Sequence, residues 1–195
     1  MKVLSVFVLL VFLFSTMFSQ SVLVEAGKGA SYAQYFLRHP LHSVRAINND
    51  VKFLIELDAG QGKILRAEAV AEVAKFNSGN SNRDSHAMEV IEALKYPTVS
   101  FKSTNVQLES DDITVVGLLT FHGQTREIAM KGKMKREGNS LIVEGEFQIS
   151  LTEFKVKRPA LLFIPTDDIL KIYIYAKFNL TSKFSHCLQY QVVSL

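Results

Sequence analysis

Apolar and polar residues alternate along most of this chain. Val51, Phe53, Ile55 and Leu57 share one face of the segment Ala46 to Asp58, with Lys52 and Glu56 opposite, the period-two pattern of a half-buried strand. The pattern recurs in Ile64 to Phe76, Ile113 to Phe121, Thr125 to Lys135, Leu141 to Leu151 and Leu170 to Leu180. Short polar links, among them Gly60-Gln61-Gly62, His122-Gly123-Gln124 and Arg136 to Asn139, predict that consecutive segments are antiparallel neighbours. Tyr32 to Val44 carries Pro40, which argues against a long regular element there.

One stretch breaks the rhythm. Asn77 to Asn82 is a polar loop, and Asp84 and Ser85 can accept hydrogen bonds from the free N–H groups of a first helical turn. Ala87, Met88, Val90, Ile91 and Leu94 then recur at helical spacing, and Pro97 ends the helix. Thr98 to Lys102 resumes strand periodicity, with Val99 and Phe101 on one face. Pro159 and Pro165 bracket Ala160 to Ile164 as a short edge piece or a loop with apolar anchors. The pattern therefore predicts a mainly β fold, an antiparallel β-barrel of about eight strands closed to remove its edges, with one short helix across an opening.

The inward faces carry a second message. Ala67, Ala69 and Ala71 form a row of small side chains, and close packing requires either bulky partners opposite or something else in the gap. Seating the helix or leaving room for a ligand would each account for the row. The expected apolar lining comprises Phe53 and Ile55, the three alanines, Phe101, Leu119, Met130 and Phe147, then Ile172 and Ile174. The helix adds Met88, Ile91 and Leu94, with Arg83, Asp84 and His86 as rim and cap.

Length adds one domain and an address. Of the 195 residues, 1–26 read as a secretory signal: Lys2, the apolar run Val6 to Phe14, then small residues, with cleavage points after Ser19, Ser21 or Ala26. The barrel is expected over 27–182 and a tail over 183–195. A net charge of +3, spread along the chain, does not argue for nucleic acid. Cys187 is the single cysteine, so no internal disulfide can form. The sequence lacks a Gly-x-Ser-x-Gly nucleophile motif and a third glycine after Gly60 and Gly62, so no enzyme activity and no cofactor are expected. His39 and His42 flank Pro40, which keeps them off a shared helical face and makes a zinc site a weak reading.

Three segments occur in an order that resembles a known family: Ser81-Asn-Arg-Asp-Ser-His-Ala-Met, Tyr96-Pro-Thr-Val-Ser-Phe-Lys-Ser, and Val116-Gly-Leu-Leu-Thr-Phe-His-Gly-Gln-Thr. They are similar to the signature segments of the YceI-like proteins, over roughly Ser43 to Leu180. The resemblance implies a lipocalin-like, eight-stranded barrel, exported to the bacterial periplasm, whose interior binds a polyisoprenoid or related amphiphilic lipid without catalytic residues. At the front, Leu41-His-Ser-Val-Arg before Asn48 is a shortened version of the family's opening strands. The leading expectation is thus an exported carrier of a long apolar molecule, with no nucleic-acid partner and no membrane span after signal cleavage. A non-catalytic envelope protein with a filled core is the alternative. A metal- or haem-associated redox accessory using His39, His42, His86 or His122 comes third.

Overall fold

The computed structural model describes residues 21–58, 61 and 63–180. Most of the expected leader, Gly60, Gly62, Cys187 and the tail lie outside the described residues.

The first four strands make one long hairpin. β1 (Ser21–Glu25) and β2 (Tyr32–His39) run up one arm, and β3 (His42–Asn48) and β4 (Lys52–Asp58) run down the other. Their registers nearly coincide: Ser21 faces Asp58, and Ala33 faces Asn48. The arms bend together near Asn48, a fully buried residue whose amide donates to the Glu72 carbonyl and accepts from the Asp50 N–H. Pro40 and Leu41 form the turn rather than interrupting an element. The hairpin read as shortened is therefore complete, because proline is tolerated where the chain reverses and no ladder donor is needed.

β5 (Ile64–Glu72) follows, then a 3₁₀ turn (Val73–Lys75), the helix α1 (Ser81–Val90), β6 (Thr98–Glu109), β7 (Asp112–Phe121), β8 (Gln124–Glu137), β9 (Ser140–Ser150), and β12 (Ile169–Asn179). Between β9 and β12 lies a separate two-stranded ribbon, β10 (Ala160–Leu161) with β11 (Ile164–Pro165). The large sheet is antiparallel throughout, in the order β1-β4-β5-β6-β7-β8-β9-β12-β2-β3. Because β1 continues into β2 and β3 into β4, its two ends are the same hairpin. The Ala26 bridge to Phe178 and the Gly27 N–H to Lys177 carbonyl bond (2.9 Å) join the first arm to β12 below its pairing with β2. The sheet closes as a lipocalin-like barrel of eight staves.

β1 overlaps the end of the expected leader, since Ser21 to Glu25 pair with β4 and Ala26 is buried. β6 runs seven residues past the expected Lys102. A bulge between Ser103 and Asn105 shifts its register, so Val106 rather than an odd-numbered residue turns inward.

The fold has two different ends. The β6–β7 and β8–β9 turns lie at the far end, while α1, the β2–β3 turn, the β7–β8 turn and the β9–β12 connection lie at the mouth. Two buried clusters line the interior. One around Phe53, Leu57, Ile113 and Phe178 serves the far end, and one around Leu37, Phe121, Leu151 and Phe154 serves the mouth. Phe101 and Phe147 pack against both.

Candidate functional site

A continuous cavity of about 250 Å³ runs between the two clusters. It reaches Ile64, Ile113 and Phe178 toward the far end, and Leu37, Val156 and Pro159 toward the mouth. Of its lining residues, only Tyr35, Glu68 and Ser100 carry polar side chains. From the strands, Phe53, Ile55, Ala67, Ala69, Ala71, Phe101, Leu119, Met130, Phe147, Ile172 and Ile174 border it. The alanine row therefore borders open volume. Gly117 and Gly145, also inward and small, do not widen it. A Cβ at Gly117 would meet Phe101 Cζ at 2.6 Å, and one at Gly145 would meet Met130 Sδ at 2.7 Å, so those gaps are already filled.

The helix roofs this space. Ala87, Met88, Val90 and Ile91 face the cavity, Val90 and Ile91 also pack against the mouth cluster, and no residue of α1 is buried. Leu94, expected on the same stripe, is fully exposed instead. Helical geometry stops at Ile91, and Glu92 takes a positive φ of 48°, so the chain leaves the helix before Leu94 can follow the stripe. The start is likewise earlier than expected. Asn80 is the N-cap, its side chain accepting from the Arg83 N–H at 3.0 Å. Asp84 lies within the first turn, where its carboxylate accepts from the Ser78 N–H (3.1 Å to Oδ1) and favours the helix dipole.

The segment carrying α1 is tied down at its margins. Val73 N–H donates to the Pro97 carbonyl across its neck at 2.9 Å, and Asn77 pairs with Ile47 of β3. At the other margin stands His122, in a tight turn with Gly123, both at positive φ. Its Nδ1 donates to the Phe154 carbonyl at 3.0 Å, and its Nε2 lies 3.3 Å from Glu92 Oε2. That second contact is an ion-pair distance without hydrogen-bond alignment. The Tyr96 ring packs against His122, with centroids 4.6 Å apart, and lies over Gly123. A side chain at Gly123 would collide with Tyr96, and φ of +69° also favours glycine. Sequence reasoning placed His122 in a turn and missed this connecting role. Its neighbours in space, Glu92 and Phe154, are about thirty residues away in either direction.

Polar character concentrates where α1 meets the barrel. Burial raises the Tyr35 hydroxyl above its ordinary pKa, the Asp84 carboxylate adds to the rise, and Arg83 opposes it. Tyr35 is therefore neutral and can act as a hydrogen-bond donor beside a carboxylate and a guanidinium. His86, the third expected rim residue, is exposed and 3.7 Å from Glu89. His39 uses both ring nitrogens: Nδ1 accepts from the Leu41 N–H and Nε2 donates to the Ile164 carbonyl. Its lone pair is thereby committed to the backbone. Among the described residues no group of three or more His, Cys, Asp or Glu is arranged to hold a metal ion.

A closed antiparallel barrel around one apolar cavity, roofed by a helix, is a lipocalin-like architecture. The YceI-like domain model matches residues 28–178, and the chain belongs to that family. Proteins called YceI from Escherichia coli and Salmonella arizonae are 28% identical over 100 residues and 29% over 101. Those matches cover 47% and 46% of this chain, and the chain spans about half the length of these relatives, 52% and 53%. Burkholderia cenocepacia BcnA aligns with a TM-score of 0.69 at 16% identity, over 78% of this chain and 98% of that one. A polyisoprenoid binding domain from Saccharophagus degradans, implicated in plant cell wall breakdown, aligns with a TM-score of 0.63 at 11% identity, over 82% and 100%. At these identities the likeness establishes the fold.

Proposed function

We propose that this protein binds one long apolar chain, a polyisoprenoid or similar amphiphilic lipid, inside the barrel beneath α1, and serves as an exported carrier. The observation that carries this reading is the continuous apolar cavity bordered by Ala67, Ala69 and Ala71. Each CH₂ transferred from water into it contributes about 0.8 kcal/mol, so chain length dominates affinity. The hydroxyl or headgroup of the guest lies near Tyr35, Arg83 and Asp84, the polar groups beside the roof. The polyisoprenoid-binding neighbour supports the ligand class, and the family membership supports a binding role over catalysis. A filled-core interaction protein is disfavoured by the same cavity.

Export follows the amino-terminal signal pattern, with the leader removed ahead of β1, after Ser19, so that the pairing of Ser21 with Asp58 survives. Organic extraction and mass spectrometry of the natively purified protein test the central reading. The expected result is one isoprenoid or acyl chain per protein. An empty protein that also fails to take up added polyprenol would overturn it.

A further inference from the structure

The β10–β11 ribbon presents apolar side chains to water. Pro159 to Pro165 is apolar at every position, and its two-residue turn is Leu162-Phe163, exposed to 73% and 100%. Both residues have positive φ, 52° and 66°. This turn geometry ordinarily selects Asn-Gly, and a bulky residue there is a conformational outlier. Leu161 and Ile164 are exposed as well, and so is Leu41 in the adjacent β2–β3 turn. Neither burial nor turn propensity accounts for these residue types.

The root of the ribbon is fixed even though its tip is free. Thr166 N–H donates to the Pro159 carbonyl at 2.8 Å, and the Arg158 guanidinium donates to the Thr166 carbonyl. The buried His39 ring joins the Ile164 carbonyl to the Leu41 N–H. Pro159 is also part of the cavity wall. The ribbon is thus a rigid, convex apolar tip at the mouth of the barrel, beside the opening a guest would use.

We infer that this tip inserts into the interfacial region of a lipid bilayer and docks the mouth of the barrel against it. A projecting tip suits a deformable lipid surface, whereas a protein partner would need a matching apolar socket. Lys155, Lys157 and Arg158 precede the ribbon and Asp167 and Asp168 follow it, the Arg38 carbonyl accepts from the Asp167 N–H at its root, and Glu153 lies earlier in the same connection. Asp168 is occupied by Ser150 and Thr152. The near balance of charge means that apolar insertion carries the binding, so zwitterionic vesicles are bound and anionic lipid strengthens binding only a few-fold. The purpose of docking, exchange of a lipid guest, rests on the function proposed above; the docking itself does not.

The chain contains no tryptophan, so Phe163→Trp introduces a single fluorescent reporter at an exposed position. Leu108→Trp, at the far end and 39% exposed, is the control. Each is mixed with phosphatidylcholine vesicles, with and without 20% phosphatidylglycerol. The expected result is a blue shift and quenching by brominated lipid for Phe163→Trp, with neither for Leu108→Trp. Replacing both Leu162 and Phe163 by serine should reduce vesicle partitioning roughly a hundredfold, about tenfold for each apolar side chain. An unshifted Phe163→Trp spectrum at saturating lipid would overturn the inference, as would equal quenching of both reporters. A blue shift that grows with protein concentration without vesicles would assign the tip to a second copy of the chain. Failure of the protein to take up polyprenol would leave this readout unchanged, which separates the two proposals.

Discussion

At the far end of the barrel, β6 turns into β7 through Ser110-Asp111 and β8 into β9 through Gly138-Asn139, two residues each and neither turn with an apolar side chain. Backbone ladders run close to these turns, and Phe178, Leu141 and Ile113 are buried behind them. At the mouth, beside the two-residue β2–β3 and β7–β8 turns, strands are joined by longer excursions: a helix without a buried residue, an exposed apolar ribbon and a loop centred on Phe154. Side chains hold these pieces in place. Asn80 and Asp84 fix the start of the helix, His122 fixes its exit, and His39 fixes the ribbon. One end is therefore closed by short turns over packed core, and the other by longer segments that rest on the mouth cluster and are tied by a few side-chain and backbone hydrogen bonds, so the helix and ribbon can open locally before the barrel unfolds.

Core truncation should expose that difference most strongly. Phe178→Ala removes a buried ring at the far end and is expected to cost about 3–5 kcal/mol in urea denaturation. Ile91→Ala, beneath the roof, should cost less, because its side chain is only partly buried and borders open volume as well as the mouth cluster. Equal losses would mean that the roof is packed core and that the two ends are alike.

Next in size is the connection at His122. His122→Ala removes the donor to Phe154 and the Glu92 contact, leaving a buried carbonyl unpaired at about 1–3 kcal/mol. Hydrogen exchange should quicken from Ile91 to Tyr96 while β6 and β7 remain protected. Faster exchange throughout the barrel would make His122 a general core residue instead of a tie on the roof.

The smallest effect concerns acid. Burial pushes the Asp168 carboxyl up, but hydrogen bonds from the Ser150 hydroxyl and from the Thr152 N–H and hydroxyl, with Arg158 nearby, bring it below its ordinary 3.8. A carboxyl depressed in the folded state stabilises fully above its unfolded pKa, and that contribution is lost as pH falls through the folded value. Exchange at Thr152 and Glu153 should therefore accelerate below about pH 3.8, while far-end amides show no matching change. Asp168→Asn should remove this pH dependence; its persistence would assign it to another group.

How much of this was legible in sequence depended on whether local pattern or tertiary contact decided the outcome. β7, β8, β9 and β12 were readable to within about two residues because strict alternation marks a sheet with one wet face. The second half of β6 was not, because the bulge after Ser103 reverses which parity faces inward. Pro40 looked like an interruption since nothing local distinguishes a breaker from the turn of a long hairpin. The alanine row left helix seating and open volume as alternatives, and it borders open volume; Gly117 and Gly145 do not, because only the fold brings Phe101 and Met130 over them. Leu94 was misplaced because the helix ends where Glu92 turns toward His122, a contact thirty residues away in sequence. Ala160 to Ile164 was readable as a short edge piece or a loop with apolar anchors; it forms a short ribbon, and its exposure was not readable because composition reports hydrophobicity whereas exposure belongs to the folded surface.

The cavity can also be closed from within. Ala69 faces Phe53 and Phe101 across the ladder and borders the open volume, so Ala69→Phe should reduce guest binding by tenfold or more without lowering the melting temperature. The most direct measurement combines that variant with chain length: delipidated protein is titrated with prenyl alcohols of increasing length, and affinity is read by native mass spectrometry. The account predicts a one-to-one complex that tightens with each added unit until the cavity is full, and loss of the complex in Ala69→Phe. Affinity independent of chain length, or unchanged in Ala69→Phe, would contradict it.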